Sequence, residues 1–256
     1  MTLKNNVKKL QTSTSTWNKL IYISAKQVWS CFCIITKAEL RNCFLTRIRF
    51  GSSYHQRSVF TAPNRYPLLF RACANYLTAT EHPKILSFGC STGEEVFSIG
   101  QYLPQAIIIG TDINPWCLKQ CRKKNQNFNY SFCHRFSNEF ELASDFDAIF
   151  CLAVFQRTEN RTNKDNSIAS GFLFEQFERE IQVLDKKLKP HGLLIIDHAD
   201  FRFEDTTVAK KYIPLNSFKQ NKAQRNRPLF DRKNRKIAEE HNCFRVFVKS
   251  SGELCV

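Results

Sequence analysis

The sequence has no apolar run long enough to cross a bilayer, which takes about 20 residues. Apolar residues recur at helical spacing from Trp17 to Ile35, but Lys26 and Gln27 interrupt them. The segment from Met1 to Leu10 also lacks the apolar centre of a secretory signal peptide. We therefore expect a cytoplasmic protein without a transmembrane helix.

Cysteine pairs at metal-binding spacing are also missing, although the chain has 11 cysteines. A single residue separates Cys31 from Cys33, which does not suit a zinc or redox pair, and no second pair follows. Other cysteines, such as Cys133 and Cys151, lie within apolar runs. We expect reduced, buried thiols and no metal site.

Acidic residues are scarce in two parts of the chain, and this accounts for the formal net charge of +15. Residues 1–84 hold 13 basic and 2 acidic residues, and residues 210–236 hold 10 and 1. The remainder is mildly acidic. Basic clusters of this kind are usually solvated surfaces, but they also suit nucleic acid or an anionic membrane.

Glycine is scarce as well, with 8 residues in the chain, and two of these lie close together at Gly89 and Gly93. The apolar run Ile85 to Phe88 precedes them, and helical spacing begins at Val96. The pattern predicts a strand, a tight loop and a helix N-terminus. Backbone N–H groups stay unpaired at such a junction, and glycine lets a ligand approach closely. We expect a ligand-binding loop.

A carboxylate follows at the spacing of a nucleotide-binding fold. Ala106 to Asp112 reads as a buried parallel strand that ends in an acidic residue, and Asn114-Pro115 has the residue types of a helix start. An acidic residue about 20 positions after a glycine loop holds a ribose diol in doubly wound folds. Asp112 is therefore the predicted ribose ligand.

The charges next to the loop distinguish two cofactor classes. A dinucleotide site requires a third glycine for its pyrophosphate, whereas here Glu94 and Glu95 follow Gly93 directly. Two carboxylates would repel a pyrophosphate but suit a cationic ligand. S-adenosylmethionine carries a sulfonium and an ammonium group, so we predict this cofactor.

The run from Ser87 to Glu95, with Gly110 to Asn114 after it, resembles the class I S-adenosylmethionine-dependent methyltransferases. The loop G-C-S-T-G-E-E is similar to that of chemotaxis-receptor glutamate methyltransferases, and residues 84–250 resemble small methyltransferases of cyanobacterial type. The resemblance implies contacts of the glycine loop with the methionine part, of Asp112 with the ribose and of Ile113 with adenine. The predicted cofactor-binding residues are Gly89, Cys90, Ser91, Thr92, Gly93, Glu94, Asp112, Ile113, Asn114 and Leu152.

Further strands are predicted at 128–132, 148–155, 193–196 and 243–249, and helices at 67–76 and 174–188. The last strand is expected to pair near Pro228 to Phe230 or Lys236 to Ala238. The resulting fold class is α/β, a doubly wound, mostly parallel, Rossmann-like sheet of seven strands with an N-terminal helical extension. We assign residues 1–50 to the basic extension, helical from about 17, and residues 51–256 to the methyltransferase domain.

Substrate-side residues are predicted at the carboxyl ends of the fourth and fifth strands, where ligands gather in open α/β sheets. Arg157 and Glu159 follow the fourth strand and are candidates for substrate contact, with a loop salt bridge as the alternative. His198 follows the fifth strand and is the candidate general base, although a packed histidine is the commoner outcome.

The predicted activity is methyl transfer to a small-molecule acceptor. An RNA or DNA methyltransferase that uses the basic segments is an alternative, although the Asn/Asp-Pro-Pro-Tyr/Phe motif of many base-methylating enzymes is missing after the fourth strand. A non-catalytic adaptor with this fold is a second alternative, and an oxidoreductase is the weakest. Residues 17–35 are expected to pack on the core or, alternatively, to contact a membrane surface.

Overall fold

The structure is a computed structural model that describes residues 15–56, 58–157, 160, 171–220, 228–237 and 243–251. The chain divides into two compact units, residues 1–49 and residues 50–256. In the first unit, α1 (Thr16–Thr36) is followed after one residue by α2 (Ala38–Phe50), whose last residue begins the second unit. The helix predicted from Trp17 to Ile35 is confirmed by α1. Within the described residues, no helix combines the length and apolarity needed to span a membrane.

The second unit alternates strands with helices. Its helices are α3 (Pro67–Tyr76), α4 (Glu94–Tyr102), α5 (Pro115–Lys124), α6 (Asn138–Leu142) and α7 (Phe174–Lys187). Its strands are β1 (Lys84–Phe88), β2 (Ile107–Asp112), β3 (Tyr130–His134), β4 (Phe146–Leu152), β5 (Leu188–Asp197), β6 (Tyr212–Pro214), β7 (Lys219–Gln220), β8 (Cys243–Phe244) and β9 (Val246–Lys249).

Seven of these strands form one sheet in the order β3-β2-β1-β4-β5-β9-β6. The first five strands are parallel, and β9 runs antiparallel to both β5 and β6. The chain moves outward from β1 to β3 and then returns to the other side of β1 with β4. This confirms the predicted doubly wound, Rossmann-like sheet. Its switch point lies between β1 and β4, where such sheets bind ligands.

The central strands are apolar on both faces because helices cover both sides of the sheet. Alternate residues of one strand therefore enter different cores. Leu86, Ile149 and Leu194 belong to one apolar cluster, which includes the inner face of α7. Ile85 and Leu193 belong to the other, which includes residues of α3, α4 and α5.

Three sequence predictions about strands are wrong in detail. The fourth strand spans Phe146–Leu152 instead of 148–155, and a left-handed residue, Ala153, follows its end. The third strand spans Tyr130–His134 instead of 128–132, because asparagine side chains hold the preceding residues in turns. Asn125 accepts a hydrogen bond from the Asn127 N–H (3.1 Å) and Asn127 accepts one from the Asn129 N–H (2.9 Å). Phe128 is consequently fully exposed.

The partner of the last strand was also wrongly predicted. β9 pairs with β5 and with the short edge strand β6, whereas Phe230 bridges to Phe201 and Lys236. Pro214 is tolerated in β6 because an edge strand needs hydrogen bonds on one side only. Of the alternative partner at 236–238, Ala238 lies outside the described residues.

Candidate functional site

The loop between β1 and α4 has left-handed backbone at both of its glycines. Gly89 has φ of +80°, and a Cβ atom built on it would lie 2.6 Å from Val154 Cγ2. Gly93 has φ of +93° and forms the N-cap of α4. The N–H groups of Gly89 and Cys90 both donate to the Thr111 carbonyl, at 2.8 and 2.9 Å. Glycine is therefore required at position 89 by conformation and by space.

Asp112, at the end of β2, connects this loop to the start of α5. Its Oδ2 accepts a hydrogen bond from the Ser91 N–H and its Oδ1 accepts one from the Asn114 N–H, both at 2.8 Å. Burial raises the pKa of Asp112, and these backbone donors act in the opposite direction. Each carboxylate oxygen has a second lone pair. Asp112 is thus oriented by the backbone and retains capacity to accept hydrogen bonds from a ligand.

The two adjacent glutamates have different environments. Glu94 forms an ion pair with Lys124 (2.6 Å). Glu95 accepts a hydrogen bond from Ser87 Oγ (2.7 Å). Burial raises the pKa of Glu95 to about 8, although the Ser87 hydrogen bond and the charge of Arg65 lower it. Glu95 lines a cavity at the edge of the sheet, whereas Glu94 is paired with Lys124.

A cavity of about 370 Å³ lies at the carboxyl edge of β1, β2 and β4. It contains six of the predicted cofactor residues, namely Gly89, Cys90, Ser91, Asp112, Ile113 and Leu152. The other four, Thr92, Gly93, Glu94 and Asn114, do not line it. Asn114 instead caps α5, where its Oδ1 accepts a hydrogen bond from the Trp116 N–H (3.0 Å).

Residues 53–56 and 58–66 form a wall of the cavity that the sequence prediction missed. The Val59 carbonyl accepts a hydrogen bond from Ser91 Oγ (2.7 Å), and the Asn64 N–H donates to Ser98 Oγ (2.8 Å). Pro63 and Pro67 marked this stretch as irregular, but no periodic pattern indicated that it lies over the sheet edge. Long-range hydrogen bonds decide its position.

Arg65 belongs to this wall and has an unusual set of contacts. Its guanidinium carbon lies 5.6 Å from the centre of the Phe60 ring and 5.2 Å from that of Tyr66. Within the described part of the chain, its side chain has ring contacts and a charge interaction with Glu95 but no hydrogen bond. A cation with open donors therefore lines the cavity next to a buried carboxyl group.

The ends of β4 and β5 also adopt left-handed backbone, with φ of +61° at Ala153 and +58° at His198. The Ala153 carbonyl accepts hydrogen bonds from the side-chain amides of Gln156 (2.9 Å) and Gln56 (3.3 Å). All three residues line the cavity. Strained backbone of this kind tends to cluster at functional sites.

The three predicted substrate-side residues have different positions. Arg157 is buried away from the cavity lining, where its N–H donates to Asp200 Oδ2 (2.8 Å) and its guanidinium donates to the Gly171 carbonyl. Glu159 lies outside the described residues. His198 Nδ1 is 3.0 Å from Asp197 Oδ1, and its ring meets the edge of Tyr66, whose ring centre is 5.4 Å away. His198 therefore contacts Tyr66 of the cavity wall but does not itself line the cavity.

Residues 86–170 match a family model described as a methyltransferase domain. This part of the chain is similar to methyltransferase domains. A search of the curated proteins gave no match. Across the described residues, no cluster of His, Cys, Asp and Glu side chains is suited to hold a metal ion.

The chain is also similar to several solved structures, two of which are methyltransferases by name. The plantazolicin methyltransferase BpumL in complex with SAH has 17% identity and a TM-score of 0.37, over 64% of this chain and 55% of that one. PKMT2 from Rickettsia typhi has 21% identity and a TM-score of 0.38, over 54% and 26%. Precorrin-6y C5,15-methyltransferase from Geobacter metallireducens has 14% identity and a TM-score of 0.42, over 74% and 94%. The chain thus spans about half of the first structure and a quarter of the second, and all three are distant.

Proposed function

We propose that this protein is an S-adenosylmethionine-dependent methyltransferase whose acceptor is a small molecule. The observation that carries the proposal is the position of Asp112, which lines a cavity beside the glycine loop at the switch point of a doubly wound sheet. The methyltransferase family model matches this same part of the chain.

The residues of the cavity fit the cofactor. Asp112 has lone pairs to accept hydrogen bonds from two ribose hydroxyls, and the bare Cα of Gly89 leaves no side chain in the space between the loop and Val154. Ile113 and Leu152 supply apolar surface for the adenine. Glu95 suits the cationic end of the ligand, and the open donors of Arg65 suit its carboxylate.

When bound, S-adenosylmethionine supplies a methyl group on a positively charged sulfur, and an acceptor nucleophile takes this methyl group by in-line attack with the sulfur as leaving group. The protein contributes binding, orientation and exclusion of water. Residues 53–56 and 58–66 supply one wall of the cavity, and Gln56 links this wall to the end of β4 through the Ala153 carbonyl. Gln156 donates to the same carbonyl from the loop after β4. His198 remains the predicted general base, and its contact with Tyr66 brings it next to the wall.

The cavity lining combines aromatic rings with polar groups, which supports a small acceptor. Tyr54, Phe60, Tyr66 and Phe70 belong to it, and its polar groups include the amides of Gln56 and Gln156. Cavities with aromatic walls and a few oriented polar groups are typical of small-molecule sites.

Calorimetric titration of the full chain with S-adenosylmethionine and S-adenosylhomocysteine tests the proposal. We expect micromolar binding by the wild type and a loss of about 100-fold in Asp112→Ala, because two charge-assisted hydrogen bonds disappear. Glu81→Ala, which removes an exposed carboxylate outside the cavity lining, is the matched control. Folded wild-type protein that binds neither compound would contradict the proposal. If binding is present, a screen with labelled methyl donor identifies the acceptor.

A further inference from the structure

An apolar face of α1 is open to solvent. Trp17, Ile21, Val28, Phe32 and Ile35 fall within one narrow arc of this helix, because their spacing of 4, 7, 4 and 3 residues follows the helical repeat. Their side chains are 53 to 76% exposed. Leu20 and Trp29 flank the arc and are exposed as well. A face of this size is unusual in a helix that is surrounded by water alone.

The second helix repeats the arrangement with charges at its borders. Leu40, Phe44 and Ile48 recur every four residues along α2 and are exposed. By helical geometry, Arg47 lies on one side of this stripe and Arg41 on the other. Arg41 also donates to the Ile35 carbonyl (2.8 Å), which links the two helices. An apolar stripe bordered by arginines is the composition of a helix that lies in a membrane interface.

The charge balance identifies the kind of partner. Residues 15–50 contain six basic residues and a single acidic one, Glu39, and α1 has no acidic residue. A second copy of the chain would bring like charges together without carboxylates to pair them. Anionic headgroups neutralise the lysines and arginines while the acyl boundary receives the apolar side chains. Trp17 and Trp29 also suit the interface, which tryptophan prefers.

We propose that α1 and α2 lie on an anionic membrane surface as two interfacial helices. The apolar side chains enter the boundary between headgroups and acyl chains, and the basic residues contact the headgroups. Neither helix crosses the bilayer. This inference rests on residues outside the methyltransferase site, so each proposal can fail without the other.

The test is flotation of the full chain with vesicles of phosphatidylcholine alone and with vesicles of phosphatidylcholine and phosphatidylglycerol at about 7:3. We expect binding to the anionic vesicles and a blue shift of tryptophan fluorescence. Trp17→Phe/Trp29→Phe should lose the shift, whereas Trp116→Phe, which alters the only other tryptophan, should keep it.

Two double variants separate the apolar and the ionic contributions. Val28→Asp/Phe32→Asp should reduce vesicle binding at least tenfold, whereas Leu142→Asp, at an exposed leucine of the second unit, should leave it unchanged. Lys26→Gln/Arg47→Gln should weaken binding to anionic vesicles by roughly 25-fold, about fivefold for each charge. Binding should also fall as salt is raised.

Three results would overturn the proposal: no binding to anionic vesicles, equal binding to both vesicle types, or binding that Val28→Asp/Phe32→Asp leaves intact. A lipid-free dimer that the same double variant dissociates would identify the face as a self-association surface instead. Titration of each variant with S-adenosylhomocysteine reports separately on the cavity.

Discussion

Two buried carboxylates at different ends of the sheet have opposite electrostatic environments. Burial tends to raise the pKa of Asp185, but hydrogen bonds from Lys211, Lys249 and Tyr212 hold it below its ordinary value. Among the residues that the structure describes, the hydrogen-bond donors to Asp112 are backbone N–H groups, and burial raises its pKa. The first carboxylate is neutralised by cations of the protein and the second is not.

This difference in pKa distinguishes a structural carboxylate, Asp185, from the carboxylates that line the cavity. Asp185, on α7, connects this helix to the edge strand β6 and its neighbour β9 through Tyr212 and Lys249. Asp112 and Glu95 line the cavity with raised pKa values, which is common for groups that act on a ligand. A carboxylate that is incompletely neutralised by the protein favours a ligand with donors or positive charge.

The largest expected effect is the loss of stability on removal of the structural carboxylate Asp185. Asp185→Ala leaves the Tyr212 hydroxyl buried without its acceptor and removes the carboxylate that faces the Lys249 ammonium, which keeps only the backbone carbonyls of residues 185 and 188. We therefore expect a loss of about 3 kcal/mol in the free energy of unfolding. Urea titration measures it, with the exposed Glu81→Ala changing stability by less than about 0.5 kcal/mol as the control. Cofactor affinity should stay the same. If Asp112→Ala destabilised the protein equally, the distinction between a structural Asp185 and a ligand-binding Asp112 would be lost.

The contribution of Asp185 should also depend on pH. Because its folded pKa is depressed, its stabilisation is present above the unfolded pKa, near 4, and is lost as pH falls through the lower folded value. The difference between wild type and Asp185→Ala should therefore shrink below about pH 4. Urea titrations at a series of pH values measure this difference in stability. A difference that stays constant as the pH falls would contradict the prediction.

The second effect concerns the loop of the cavity. Gly89→Ala should destabilise the protein by about 2 kcal/mol, because φ is positive and the new methyl group meets Val154. Gly51→Ala, where φ is +48° and no atom lies within 4 Å of the new Cβ, isolates the conformational part. Val154→Ala should restore part of the loss in Gly89→Ala. Equal thermal shifts in the two single variants would exclude a steric role for Val154.

A third effect follows from the raised pKa of Glu95. The protonated form is favoured in the folded state, so its stabilisation is full below the unfolded pKa and is lost as pH rises through about 8. Glu95→Gln removes this dependence and should be more stable than wild type by about 2 kcal/mol at pH 8. The exposed Glu81→Gln is the control, and parallel pH profiles of wild type and Glu95→Gln would contradict the assignment.

The same carboxyl group should couple protons to the cofactor. A cation bound near Glu95 favours its ionised form, so binding at pH 7 should release a proton. Titration calorimetry in two buffers of different ionisation enthalpy measures the release, which should be smaller in Glu95→Gln.

The smallest effect is expected at Glu94. Its partner Lys124 is 45% exposed, so the ion pair is screened by solvent. Lys124→Gln should change the free energy of unfolding by less than about 0.5 kcal/mol and the cofactor affinity by less than about threefold. A larger loss of affinity would show that Glu94 must be held by Lys124 for the loop to bind.

Local patterns predicted the parts of the site that are continuous in the chain. The glycine pair, the strand that ends at Asp112 and the amphipathic α7 each depend on the order of neighbouring residues, and the structure contains all three. The third strand was misplaced because asparagine side chains compete for the backbone there. The pairing of β9 was misassigned because three residues of β6 carry too little periodicity to be recognised.

By itself, the sequence determined the doubly wound fold, the position of its glycine loop and the acidic residue at the end of β2, because these follow from apolar periodicity and backbone conformation. Tertiary structure alone decided that residues 53–56 and 58–66 form one wall of the cavity and that Glu95 lines it while Glu94 does not. It also decided the difference between Asp112 and Asp185. A pKa and a cavity wall depend on groups that are distant in the chain, and no local pattern specifies which of them meet.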